Sequence, residues 1–221
     1  MVLLLALGTC KPQTANSPRQ ERLNLLLVTL DTTRADRLGC YGYAPARTPH
    51  LDQLAAEGIR FARCSTCASL TLPAHASIMT GQYPFVHGVR KNGTHRLAEA
   101  NLTLAEVLGD AGFTTEAIVA TFVLDRIFGI DQGFERYSGV PPDDSVIAVH
   151  AERRGDRVTS EAIDRLAALR DRRFFLWVHY FDPHYPYVSP NGGVVESFAG
   201  YDEEIAFVDA QIGHLRAALS A

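Results

Sequence analysis

Three short segments of the chain gather side chains that carry hydrolytic or metal chemistry, and each sits just after an apolar run or at a helix start. The first is Asp31-Thr32-Thr33-Arg34. Asp31 ends the apolar run Leu23 to Leu30, and a carboxylate at the end of a strand buried on both faces is costly unless a cation or hydrogen bonds compensate it. A hard metal ion would do so; so would capping of the next turn or an ion pair with Arg34. The second segment is Thr71-Leu72-Pro73-Ala74-His75. Thr71 stands just before a proline suited to a first helical turn, where free N–H groups and the helix dipole favour an anion. Its hydroxyl becomes a nucleophile if a metal ion lowers its pKa, and is otherwise a helix cap. His75 is either a ligand for a phosphate- or sulfate-like group or a packed core residue. The third segment, His179-Tyr180-Phe181-Asp182-Pro183-His184, crowds titratable and aromatic groups beyond an apolar strand, as suits an anion site with apolar walls. Strand alternation is expected to turn His179 away from the sheet edge, which leaves His184 as the substrate-binding candidate.

Alternating strands and helices must position these segments. Leu23 to Leu30 reads as a strand buried on both faces of a parallel sheet. Thr48-Pro49 opens a helix that runs through Glu57 and is stopped by Gly58, and a short strand is expected near Ile59 to Ala62. Helices follow from Pro73 to Thr80, ended by Gly81, and from about Thr103 to Asp110. Phe113 to Ala120 returns as a strand. An irregular stretch runs through Pro141-Pro142, and Asp156 then caps a helix with the apolar stripe Val158, Ile163, Leu166 and Leu169. Phe174 to Tyr180 is the third strong strand, and Asp202 to Leu219 is amphipathic, with Ile205, Val208, Ile212 and Leu215 on one face. The order predicts an α/β fold, a doubly wound, mainly parallel sheet flanked by helices. A helix this late should feed another core strand, so the domain is expected to be C-terminally incomplete, with that last stripe partly uncovered.

The chain has 221 residues, 47% of them hydrophobic and 21% charged, enough for one sizeable core. Its 25 acidic and 21 basic residues are interspersed and give a net charge of -4, without the basic face that nucleic-acid binding requires. Residues 1–22 read as a leader or disordered segment, and 23–221 as the domain. Val2 to Leu7 resembles the apolar region of an export signal, although no basic residue precedes Lys11. Leu7-Gly8-Thr9-Cys10 resembles a lipobox, in which a lipidated Cys10 would anchor the chain to a membrane; the alternative is an unpaired Cys in a leader. Cys64-Ser-Thr-Cys67 has zinc or redox spacing, yet no second pair and no neighbouring His complete a tetrahedral site. Two partly buried thiols or a local disulfide are the simpler reading.

Taken in order, four blocks resemble the sulfatase family of the alkaline phosphatase superfamily. Leu27 to Gly42 resembles its metal-binding strand and turn, and Thr48 to Ala55 its next helix; Thr71 to Gly81 resembles the nucleophile helix, and Phe181 to Tyr187 a substrate-side loop. The resemblance implies a hydrolase of small-molecule or glycan sulfate or phosphate esters, while it is the apolar Val2 to Leu7 that points to export, to the periplasm or the outside. The resemblance also implies a divalent metal, calcium first, with zinc or magnesium as alternatives, held by Asp31 and Thr71. Thr71 would be the nucleophile, His75 would support it, and His184 would bind a substrate oxygen. Family sulfatases make a formylglycine from Cys or Ser, and threonine cannot become that aldehyde. His75 stands where they carry Arg, Thr32 where many carry a second metal-binding Asp, and their mid-domain Lys and His have no counterpart around Thr121 to Phe134. Other branches of the superfamily use Thr directly, through a phosphothreonine and a pair of zinc ions. A phosphodiesterase or phosphotransferase of that kind, or a catalytically inactive fragment, are therefore the alternatives.

Overall fold

The computed structural model describes residues 2–7, 23–140, 152–188 and 193–220. Cys10 and the Pro141-Pro142 stretch lie outside the described residues. Five strands form one sheet in the order β1-β2-β5-β3-β4: β1 Val2–Leu7, β2 Asn24–Leu30, β3 Thr114–Ile118, β4 Arg136–Ser138 and β5 Phe174–Tyr180. Strands β2, β5, β3 and β4 run parallel, with Leu30 opposite Tyr180 and Thr114 opposite Phe174. The apolar segment Val2–Leu7 pairs antiparallel with β2 at the sheet edge.

The two central strands are near-continuous runs of branched and aromatic residues because both of their faces are covered. Leu26, Val28, Leu30, Leu176, Val178 and Tyr180 belong to one core, shared with α1 (Pro49–Glu57), α5 (Gly155–Ala168) and α6 (Phe198–Ser220). Leu27, Phe175, Trp177 and Ala117 point the other way, into a second core with α2 (Thr71–Thr80) and α4 (Leu104–Asp110). A short helix, α3 (Pro84–His87), follows α2. The predicted fold class thus stands: a parallel four-stranded sheet with helices on both faces.

Local chemistry explains the boundaries. Thr103 caps α4 in a reciprocal capping box with Glu106, and Gly81 ends α2 in the left-handed conformation at φ 67°. Four expectations change. No strand forms over residues 59–62, where Ile59 and Phe61 are exposed and find no partner strand. Asp156 lies inside α5 rather than capping it, the cap position belonging to Arg154. The three-residue β4 was hidden in what read as an irregular stretch, because it is too short to show a period. The stripe of α6 is covered: Ile205, Val208, Ile212 and Leu215 are all buried against α1, α5 and the sheet.

Candidate active site

In an open parallel sheet the carboxyl ends of the strands hold the ligand, and here β2 and β5 deliver their first loop residues side by side. Asp31 follows β2 directly and is tied to the neighbouring strand by its N–H, which donates to the Tyr180 carbonyl at 3.0 Å. Its carboxylate is largely buried. Oδ1 accepts from the Thr32 N–H at 2.8 Å, and Oδ2 accepts from the Thr71 hydroxyl at 2.8 Å. Arg34 does not share this carboxylate; it forms a bidentate surface pair with Asp36 at 2.8 and 2.6 Å.

Thr71 is the first residue of α2, with Leu70 in the cap position, so its hydroxyl is released from capping and serves Asp31. The helix start is less open to anions than the sequence implies. The Leu72 N–H is taken by Asn92 Oδ1 at 2.9 Å, and Pro73 has no N–H to offer. Nothing in the sequence around Asn92 signals this contact with the helix start.

Two histidines enclose this pair. The Nδ1–H of His75 donates to the Thr71 carbonyl at 2.8 Å, because a carbonyl oxygen only accepts. That fixes the tautomer and leaves a bare Nε2, which is buried and unpartnered. His179 is fully buried, with Nε2 3.7 Å from Asp31 Oδ2, and its Nδ1 accepts the Ala120 N–H at 3.3 Å. His179 does not turn away from the sheet edge, as strand alternation led one to expect, but reaches Asp31. His179 shares the α2 face of the sheet with Phe175 and Trp177, and its register opposite Thr29 places it two residues before Asp31 in the strand stack, within reach of that carboxylate.

These neighbours set the charges. Burial pushes the Asp31 carboxyl up, but His179, then His75 and the Thr71 hydroxyl outweigh it and hold the group well below the usual carboxylate range. Burial, reinforced by His179 and opposed by Asp31, pushes His75 down to about 4.

His184 stands apart from this cluster. Its ring stacks on Phe181 at 4.1 Å, and its Nδ1–H donates to the Tyr185 carbonyl at 2.8 Å. With Arg154, Asp182, Glu204 and Phe207 it lines a cavity of about 110 Å³ on the α5 and α6 side. Among the described residues no hydrogen bond or ion pair joins it to Asp31, Thr71 or His75. Thr32 knits the two loops instead. It adopts φ 49°, its hydroxyl donates to the Pro183 carbonyl, and its own carbonyl accepts from Tyr201 at 2.7 Å.

The Asp31 carboxylate and the Thr71 hydroxyl offer two adjoining oxygens, a fit to part of a hard-metal ligand set of about six. Among the described residues no three His, Cys, Asp or Glu side chains converge as metal ligands. Cys64 and Cys67 are free and exposed rather than partly buried or bridged. A second pair that resembles a nucleophile with its base is structural: His87 Nδ1 accepts the Val89 N–H at 3.1 Å, so its Nε2–H donates to Ser77 Oγ at 2.8 Å and cannot take a proton from it.

Comparison with known proteins gives this geometry its context. The Sulfatase family model matches residues 23–221. Human arylsulfatase D is 35% identical over 128 residues, which cover 53% of this chain and 21% of that protein. The chain thus spans about a fifth of the length of that relative. Among solved structures, the yidJ protein of Bacteroides fragilis superposes with a TM-score of 0.75 at 22% identity, covering 94% of this chain and 60% of that one. The phosphonate monoester hydrolase of Agrobacterium radiobacter superposes at 0.70 with 20% identity, covering 88% and 58%. A match over nearly every residue from β2 onward, together with a carboxylate after the first parallel strand and a hydroxyl opening α2, places this chain in the sulfatase family.

Proposed function

We propose that this chain carries the nucleophile of a metal-dependent ester hydrolase of sulfatase type. The observation that carries the reading is the 2.8 Å hydrogen bond from the Thr71 hydroxyl to Asp31, at the first residue of a helix and the carboxyl edge of the sheet. Asp31 holds the hydroxyl in one orientation, and His75 fixes the same residue through its carbonyl. In the reaction Thr71 Oγ1 bonds to the sulfur or phosphorus of the ester while the bond to the leaving alcohol breaks. The alcohol departs with a proton, and water then hydrolyses the ester formed on Thr71. His184 would bind a substrate oxygen from the loop after β5; because its Nδ1–H is given to the Tyr185 carbonyl, its Nε2 would accept from a substrate hydroxyl. Asp31 and Thr71 would hold the divalent metal on which the family generally relies, calcium first, with magnesium or zinc as alternatives. When bound, it would offset the negative charge of an ionised Thr71 oxygen.

A second reading follows from the side chain itself. Threonine supplies a plain alcohol, and a plain alcohol suits a phosphothreonine intermediate, which makes a phosphodiesterase or phosphotransferase the rival. Export belongs to the proposal, on the strength of the apolar Val2 to Leu7; among the described residues no helix is long and apolar enough to cross a membrane. Aryl sulfate and aryl phosphate turnover, measured with calcium, magnesium or zinc beside Thr71→Ala, tests both readings. Sulfate turnover that depends on Thr71 supports the first. Labelled phosphate on Thr71 supports the second, and turnover that ignores Thr71 overturns both.

A further inference from the structure

The cluster contains one buried polar group that the proposed chemistry does not use, the imidazole of His179. Its hydrogen bonding determines where its proton sits. The Ala120 backbone donates to Nδ1, so Nδ1 is bare and the proton is on Nε2. That N–H is buried and has no hydrogen-bond partner, which proteins seldom tolerate. It lies 3.7 Å from Asp31 Oδ2, the oxygen that receives the Thr71 hydroxyl. The ring cannot swing elsewhere. It meets His75 edge to face at a centroid distance of 4.9 Å and packs against Trp177 at 6.3 Å, whose indole N–H is itself held by Thr29 at 3.0 Å.

We propose that His179 is a positioning residue: its Nε2–H, aimed by the Ala120 backbone, orients the Asp31 carboxylate so that Oδ2 faces Thr71. The chain of contacts runs from the backbone after β3, through β5, to the residue after β2 and on to the first turn of α2. It links four separate segments in series, with Asp31 Oδ2 between His179 and Thr71. A carboxylate with only Thr71 and Thr32 as donors could rotate about its side-chain bonds; a third, buried donor 3.7 Å from Oδ2 restricts it. The opposite tautomer would set the Nδ1 proton against the Ala120 N–H and turn a lone pair toward a carboxylate, and both contacts are repulsive. This assignment rests on the proposed role of Asp31 and Thr71, and it needs a test that can fail separately.

The first measurement is ¹⁵N NMR of histidine-labelled protein, which needs no substrate. The expected result is a proton on Nε2 of His179, a bare Nδ1, and an Nε2 resonance that moves in Asp31→Asn but not in Asp52→Asn. A proton on Nδ1, or a resonance indifferent to Asp31→Asn, overturns the proposal whatever the activity. The second measurement is ester turnover in His179→Gln and His179→Leu. Glutamine places an amide N–H near the Nε2 position and leucine places none. The leucine variant is expected to lose roughly 10–100-fold in kcat, as when an outer-shell partner of a functional group is removed, with KM little changed; glutamine should restore most of that loss. Equal losses in the two variants overturn the positioning role. If the parent protein turns over no ester, the proposed function falls while the NMR result still decides the role of His179.

Discussion

His75 and His179 meet edge to face, with ring centroids 4.9 Å apart and planes at 77°. They come from α2 and β5: one ring holds the Thr71 carbonyl and the other faces Asp31. Each ring spends its Nδ1 on a backbone partner and leaves its Nε2 unbonded in the interior. In the formylglycine enzymes that the sequence resembles, the place of His75 belongs to a permanently charged Arg. Here it belongs to an imidazole that burial keeps neutral at physiological pH. His75 therefore shapes the site by hydrogen-bond geometry rather than by positive charge.

Replacing Thr71 with alanine is expected to lower kcat/KM for the ester substrate by more than ~10³-fold, the scale of losing a covalent catalytic group. Thr71→Ser, which keeps a hydroxyl within reach of Asp31 Oδ2, should retain a measurable share. Thermal melts of the two variants should lie within a few degrees of each other, because the substitution touches the end of a helix and not its packing. Alanine activity within a few-fold of the parent would mean that Thr71 only ties α2 to β2.

Thr71→Cys is expected not to yield a sulfatase of the formylglycine kind. His75 and the bonded Leu72 N–H replace the Arg and the open helix start that such a site would use. Mass spectrometry of the peptide around residue 71, after expression beside a maturation enzyme, should show unmodified cysteine. An aldehyde hydrate together with a gain in aryl sulfate turnover would contradict this.

Glu204 predicts a pH dependence of stability. Burial first, then the nearby Asp182, raise its carboxyl to about 7, while Oε1 accepts from the Val188 N–H at 2.6 Å. Its folded pKa exceeds its unfolded value, so the folded state holds a proton that the unfolded chain has released. Stability from this group is intact below the ordinary glutamate pKa, falls as pH rises toward 7, and stays low above it. Glu204→Gln should remove that fall and stabilise the protein at pH 8 by about 1–3 kcal/mol. Urea midpoints of parent and variant at pH 4.5 and pH 8 measure it; a difference that does not grow with pH refutes the assignment.

Gly133 and Gly42 separate backbone strain from crowding. Both have positive φ, at 83° and 97°. A Cβ on Gly133 would lie 2.3 Å from the Glu106 backbone nitrogen, inside the capping box of α4, whereas one on Gly42 meets nothing within 4 Å. Gly42→Ala should cost about 1 kcal/mol from the left-handed conformation alone. Gly133→Ala should cost at least about 2 kcal/mol more, since backbone must move. Chemical denaturation of the two variants side by side decides it, and equal losses would show that α4 accommodates the methyl.

The elements of this protein were legible because local rules decide them. Two near-continuous apolar runs read as strands covered on both faces, and Pro49 with Gly58 brackets α1 to the residue. The candidate residues were legible for a related reason: Asp31, Thr71 and His75 are chemically expensive where they stand, at a strand end and a helix start. Their meeting was not. The bond from Thr71 to Asp31 depends on α2 packing on one face of the sheet, which no period in either segment encodes. His179 was misjudged because parity gives the face of a strand but not how far a long side chain leans along it, nor how its neighbour is staggered. The tautomers of both histidines follow from single backbone groups, at Thr71 and Ala120, and only the assembled chain brings those within reach. The covering of the α6 stripe likewise came from α1 and α5, elements distant in sequence whose docking a one-dimensional pattern cannot specify.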